Sequence, residues 1–332
     1  MGKLEAEELK ELLRCIKKHP KVIIPPAPGY DSGVHTIDEN SYLVVSTDPC
    51  IGVPEKWFGW LLIHYAASDV ALFGAKPEFC TITLLGPLKT EAKVFAGIMK
   101  QVCSAAEELD MTVIAGHTGT YAELSATIGS CTAYGRVAKE KLITPAGAQV
   151  GDDLICTQEL GLETAVNFAL RHTSLAERLL TVVRTHNLLN LVNMQSCVRE
   201  ASILAKVDGV NAMHDIAEGG LVSALNEMAE NSNLGFEVEW NNLPILQDVL
   251  VFKKHFNLSR QELLSISSTG TVLAAVNPKK SDKALQKLQD NGIKACSIGQ
   301  FTESKKRVLK IGKDETTFPK TARDPYGRIM NK

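Results

Sequence analysis

Apolar and polar positions along the chain follow two rhythms, one of helices and one of strands. Residues 4–18 place Leu9, Leu12, Leu13 and Ile16 on one face at helical spacing. The stretch Pro20–Gly33, with prolines at 20, 25, 26 and 28, must be extended or turned, because proline does not sit inside a helix. Tyr42–Ser46 reads as a strand that ends at Thr47-Asp48-Pro49. The apolar run Trp57–Gly74 reads as a buried helix over 57–73 that stops before Lys76-Pro77. It carries His64 and Asp69, and a charge there argues against a membrane span. Cys80–Leu85 reads as a strand and Thr90–Leu109 as a long helix. Thr112–Ala115 reads as a strand running into a Gly116-His117-Thr118-Gly119 loop, and Ser125–Val137 as a long strand.

A Pro/Gly turn at Thr144-Pro145-Ala146-Gly147 marks a boundary, giving an N-terminal domain over 1–148 and a C-terminal domain over 149–332. Beyond it the pattern predicts a strand at 154–157, helices at 161–171, 175–189 and 195–206, a short strand near 211–213 and a helix at 218–230. Strands follow near 235–239 and 270–276, then a helix at 281–291 and strands at 294–300 and 307–311. Strands alternate with helices in both halves, which implies an α/β (α+β) fold.

Composition narrows the class. A chain of 332 residues at ~150 per domain implies about two domains. Lys plus Arg number 36 and Asp plus Glu 38, with no basic run, so no nucleic-acid partner driven by phosphate neutralisation is expected. The eight cysteines form no CxxC pair and read as small buried hydrophobes in a reducing compartment. The charged N-terminal helix is no signal peptide, so a cytoplasmic location with no membrane partner is expected.

Three groups of residues could carry chemistry. Asp31 and Asp48 lie beside glycine or proline and read as turn formers when taken alone. Asp69 lies mid-helix among apolar residues and needs a donor, a cation or a cleft. Together the three would suit Mg²⁺, a hard ion shared between carboxylates and nucleotide phosphates. Gly116–Thr120 reads equally as a glycine turn or as a ligand loop at a strand end, with His117 supplying an imidazole. His214-Asp215-Ile216-Ala217-Glu218-Gly219-Gly220 reads as a capping box of Asp215 and Glu218. Its two glycines point instead to phosphate on the amides of a helix N-terminus.

The order GYDSGV, STDP, ASDVALFGAKP, AGHTGTY and MHDIAEGGL resembles the aminoimidazole-ribonucleotide synthetase-like (PurM-like) superfamily. Its members include thiamine-monophosphate kinase, selenophosphate synthetase and the hydrogenase maturation factor HypE. The similarity runs from about residue 30 to about 275 and leans toward the HypE-like, AIR synthase-related branch. It implies a ferredoxin-like N-terminal domain that forms a dimeric β-barrel in a homodimer. It also implies a larger α/β C-terminal domain, with ATP and Mg²⁺ in the cleft between domains. The activity implied is phosphorylation of an amide, carbonyl or phosphate oxygen of a small-molecule or protein-borne substrate. By that resemblance Asp31, Asp48 and Asp69 are the metal ligands. Those three aspartates with His117, Thr118, Gly119, His214, Asp215, Glu218, Gly219 and Gly220 face the nucleotide, and Asp69 and His117 are the catalytic candidates.

Four departures from the pattern matter. Tyr30 and His117 stand where the family usually has Asp or Glu, and imidazole is a poor Mg²⁺ ligand. No mobile glycine-containing segment is evident before Pro20. The chain also lacks the C-terminal cysteine that receives the carbamoyl group in HypE, its last Cys being at 296. An ATP-dependent ligase- or kinase-like enzyme is therefore one expectation. The alternatives are a nucleotide-binding regulatory or maturation-factor homologue with weakened catalysis, and a kinase of a small phosphorylated metabolite.

Overall fold

The computed structural model describes residue 4 and residues 6–331. They fall into two compact units, one of Leu12–Leu142 and one comprising, in the main, the residues from Ile143 onward. The N-terminal helix α1 covers only Ala6–Leu13, shorter than the apolar spacing predicts. Leu12 and Ile16 are 60% and 47% exposed, so the C-terminal part of the stripe gains little burial that would extend the helix.

The first unit holds β1 (Val22–Ile24), β2 (Ser32–Thr36), β3 (Ser41–Ile51) and α2 (Glu55–Leu72). Then come β4 (Phe79–Pro87), α3 (Ala92–Glu108), β5 (Thr112–Tyr121) and β6 (Ile128–Ala138). The six strands form one open sheet in the order β1-β2-β3-β6-β4-β5, antiparallel except for the β4–β5 pair. Among the described residues no closed barrel forms. Helix α2 is apolar all round, from Phe58 to Leu72, because it is covered all round. One side meets β3 and β6 and another meets α3.

The two helices approach so closely that a Cβ on Gly59 would lie 2.4 Å from the Ile98 carbonyl. There Gln101 of α3 reaches into the first turn of α2. Its Oε1 accepts from the Gly59 N–H at 2.9 Å and its Nε2 donates to the Glu55 carbonyl at 2.9 Å.

Strand β3 does not end at Thr47-Asp48-Pro49. It pairs with β6 along its whole length, from Ser41↔Ala138 to Ile51↔Ile128. Its pairing with β2 stops at Ser32↔Ser46, so Pro49 sits where the strand has one neighbour, a place that tolerates proline.

The second unit holds β7 (Asp153–Thr157), α4 (Leu162–Arg171), α5 (Thr173–Leu180), α6 (Val182–Leu189), α7 (Val198–Leu204), β8 (Val210–Asp215) and α8 (Gly220–Asn231). It continues with β9 (Gly235–Glu239), α9 (Gln247–His255), α10 (Arg260–Leu264), β10 (Val272–Val276), α11 (Pro278–Asp290), β11 (Ala295–Thr302), β12 (Arg307–Ile311), β13 (Asp314–Thr317) and α12 (Tyr326–Met330). Its seven strands run β13-β12-β9-β11-β7-β10-β8, with only β9 and β12 parallel. Strand β10 is buried at every residue, which is why VLAAV shows no alternation.

The single helix predicted over 175–189 is two. Thr181 takes φ +107° between them, and its hydroxyl accepts from the Arg184 N–H as the cap of α6. Among the described residues no helix is long and apolar enough to cross a membrane.

Candidate functional site

In the first unit the acidic residues cluster about β2, β3 and α2. Asp69 is 4% exposed, and what satisfies it includes a hydroxyl donor: Ser46 Oγ donates to Asp69 Oδ2 at 2.7 Å. Ser46 and Asp48 are two apart on β3 and so share the face that α2 covers. Asp48 thus lies within a strand, not in a turn. Its charge, second to burial, helps push the Cys50 thiol up to about 12. Asp31 immediately precedes β2, whose first residue Ser32 stands opposite Ser46. The Ser32 hydroxyl is buried with no hydrogen-bond partner.

These donors are all oxygens, which suits a hard divalent cation.

The expected loop at Gly116–Gly119 is strand. β5 runs on to Tyr121 beside β4, with His117 opposite Thr83 and Gly119 opposite Leu85. Packing requires glycine at 116 and leaves little room for a side chain at 119. A Cβ on Gly116 would lie 2.8 Å from the Ile82 carbonyl, and one on Gly119 would lie 3.1 Å from the Tyr121 ring. That ring leans back over Gly119, and its hydroxyl meets His117 Nε2 at 2.9 Å. His117 and Thr120 are exposed at the sheet's edge, and Thr118 shares that strand. Tyr30 is half-buried, and burial raises its phenol above its ordinary range.

In the second unit β8 ends at Asp215 and α8 begins at Gly220 with Gly219 as its cap. The capping box expected of Asp215 and Glu218 is therefore absent, because Asp215 is still in the strand. His214 is 3% exposed and is engaged at both nitrogens. Nδ1 lies 2.8 Å from the Asp215 carbonyl, and Nε2 lies 3.0 Å from Glu227 Oε2 on α8. Gly219 and Gly220 both take positive φ, +81° and +59°. A Cβ on Gly220 would lie 2.6 Å from the Ile266 carbonyl, so the close approach of the 265–266 backbone demands this glycine. The Gly219 N–H donates to Asp324 Oδ2 at 3.0 Å.

Several groups around this turn escaped the sequence reading. Glu163, in the first turn of α4, accepts from the Thr269 hydroxyl at 2.7 Å and from its N–H at 3.3 Å. Burial first, and then the nearby charge of Glu218, push its carboxyl up to about 8. Ser267 Oγ donates to Asp324 Oδ2 at 2.5 Å. A polar chain runs behind them. Gln195 Nε2 donates to Asn167 Oδ1 at 3.2 Å, and Asn167 Nδ2 donates to the Tyr326 hydroxyl at 3.0 Å. The polar run Ser267-Ser268-Thr269, buried or half-buried between apolar segments, was the available signal. Asp324 gave none, because it is far from the glycine turn in sequence.

Comparison with known proteins agrees with this two-part construction. The model of the AIR synthase related protein N-terminal domain matches residues 29–137, and that of the C-terminal domain matches residues 149–312. A selenide, water dikinase of Carboxydothermus hydrogenoformans is 25% identical, over 93% of this chain and 94% of the relative. A putative hydrogenase expression/formation protein of Methanocaldococcus jannaschii is 27% identical, over 76% of this chain and 72% of its own. Among solved structures, HypE of E. coli, a hydrogenase maturation protein, superposes with a TM-score of 0.73 at 20% identity, covering 86% of this chain and 88% of that one. AaThiL complexed with AMPPCP and TMP gives 0.69 at 19% identity, covering 89% and 90%. With both domain models matched in order across most of its length, the chain belongs to the AIR synthase-related (PurM-like) family.

Proposed function

We propose that this chain binds ATP with Mg²⁺ and phosphorylates an amide, carbonyl or phosphate oxygen of a substrate. The observation that carries the reading is the match of both family domains in order. The relatives named above include a dikinase, and the solved neighbours include HypE in complex with ATP.

Within the first unit, Asp31, Asp48 and Asp69 are the oxygen donors suited to Mg²⁺–nucleotide. Individual carboxylates would share the cation with phosphate oxygens. Bound there, Mg²⁺ would neutralise phosphate charge. The protein's own part is positioning. Ser46 holds the Asp69 carboxylate by its hydrogen bond.

A homodimer fits the same reading. Strand β5 is a ten-residue edge, exposed at most positions, with Ile114 55% and Tyr121 40% exposed. A long exposed edge of this kind favours pairing with a second copy.

The second reading is a nucleotide-binding homologue with weakened turnover. Its support is His117, held by Tyr121 where the family pattern has an acid. Calorimetry with ATP, with and without Mg²⁺, on the native chain and Asp69→Asn tests the main reading. Mg²⁺-dependent binding lost in the variant supports it, and absence of any binding defeats it. Tyr30→Asp combined with His117→Asp separates the two readings. Raised ATP turnover marks a weakened native site, whereas loss of a native activity assigns His117 a role of its own.

A further inference from the structure

The segment after β13 crosses the glycine turn as a strap anchored at both ends in hydrophobic core. At one end Phe318 is fully buried beside Phe236, with ring centroids 5.0 Å apart. At the other, Ile329 and Met330 are buried with the helices of the second unit, and the Met330 carbonyl meets His172 Nε2 at 2.9 Å. Between the anchors, residues 319–325 have no regular structure, and the contacts that fix them are largely polar. Gln261 Nε2 donates to the Thr321 carbonyl at 2.7 Å, and the Arg323 N–H donates to Ser265 Oγ at 3.0 Å.

At the strap's centre one carboxylate oxygen of Asp324 takes both the Gly219 N–H and the Ser267 hydroxyl. The strap also covers the turn, since a Cβ on Gly219 would lie 3.1 Å from that of Ala322. Asp324 is thus an internal anion on the amide at the head of α8, where a phosphate oxygen would otherwise bind.

Its surroundings are acidic. Glu163 and Glu218 lie close enough for their charges to interact, and Asp324 adds its own repulsion on Glu163. A nucleotide phosphate arriving with Mg²⁺ carries its own charge compensation into this acidic surround.

We propose that residues 319–325 form an autoinhibitory strap, with Asp324 holding the Gly219 amide until Mg²⁺–nucleotide displaces it. The proposal rests on the nucleotide reading given above and adds a regulatory contact within the second unit. No covalent step is involved.

The test uses the full chain, Mg²⁺–ATP as the probe, and the variants Asp324→Ala and Ser267→Ala. With the strap closed in about nine molecules of ten, removing its anchor tightens the apparent Kd roughly tenfold in Asp324→Ala and less in Ser267→Ala. Nucleotide added to the native chain should speed hydrogen exchange in residues 319–325. Unchanged or weaker affinity in both folded variants overturns the strap while leaving the nucleotide reading in place. So does increased protection of 319–325 on nucleotide addition. Absence of Mg²⁺–ATP binding in the native chain and in both variants overturns the nucleotide reading, and the strap with it. If Asp324→Ala fails to fold, Ser267→Ala and the exchange measurement decide.

Discussion

Tyr121 donates or accepts a hydrogen bond with His117 at 2.9 Å across Gly119, three residues of one strand face acting together. The glycine leaves room for the phenol ring, and the ring fixes the imidazole. Tyr121→Phe should release the imidazole and shift the His117 ring resonances in NMR. Stability should change by no more than about 0.5 kcal/mol, because the pair is on the surface. Unmoved resonances would show that the contact is not formed in solution.

Ser46 provides a donor to a carboxylate buried in the middle of an apolar helix. Ser46→Ala should cost about 1–3 kcal/mol, the penalty for stripping a partner from a buried polar group. Urea denaturation measures it. A loss below about 0.5 kcal/mol would mean that other groups satisfy Asp69 unaided.

Glu163 carries a carboxyl raised from the ordinary glutamate range to about 8. Between the unfolded value and the folded one, the native state holds a proton that the unfolded chain has released. Stability contributed by this group is therefore complete below pH ~4.5 and falls as pH rises toward 8. Glu163→Gln removes that dependence. Its stability relative to the native chain should rise between pH 5 and pH 9, as read by paired denaturation curves. A constant difference across that range would place the titration elsewhere.

Ile114 is 55% exposed on an edge strand that, among the described residues, pairs with β4 alone. If a second copy covers β5, Ile114→Lys should convert a dimer to a monomer in light scattering at micromolar concentration. A native chain that is already monomeric at high concentration would remove the dimer from the proposed function.

Much of the fold was legible because local rules and tertiary context agree. The all-apolar helix α2, the strand β7 and the amphipathic helix α11 fall close to where periodicity predicts them. Disagreements arise where contacts distant in sequence decide. Thr47–Ile51 stays in strand because β6 pairs with it to the end. The glycines of β5 look like a loop in isolation, but the Ile82 backbone and the Tyr121 ring occupy the space their side chains would need. At the site, the short motif was visible at Gly219–Gly220. The groups that complete the turn, Glu163, Ser267 and Asp324, are separated from it by tens of residues and follow no spacing rule.

The Gln101 side chain spanning Glu55 and Gly59 bears on how the first unit assembles. An isolated helix closes its own first turn. Here the carbonyl of Glu55 and the amide of Gly59 are also served by an amide group from 42 residues further along. The start of α2 is thus a long-range structure, secure only once α3 has docked. Cut from its neighbour, a peptide of residues 52–74 should fray at Glu55–Gly59 while its apolar remainder stays helical or aggregates. In the intact chain that first turn should open and close together with α3 as one cooperative unit.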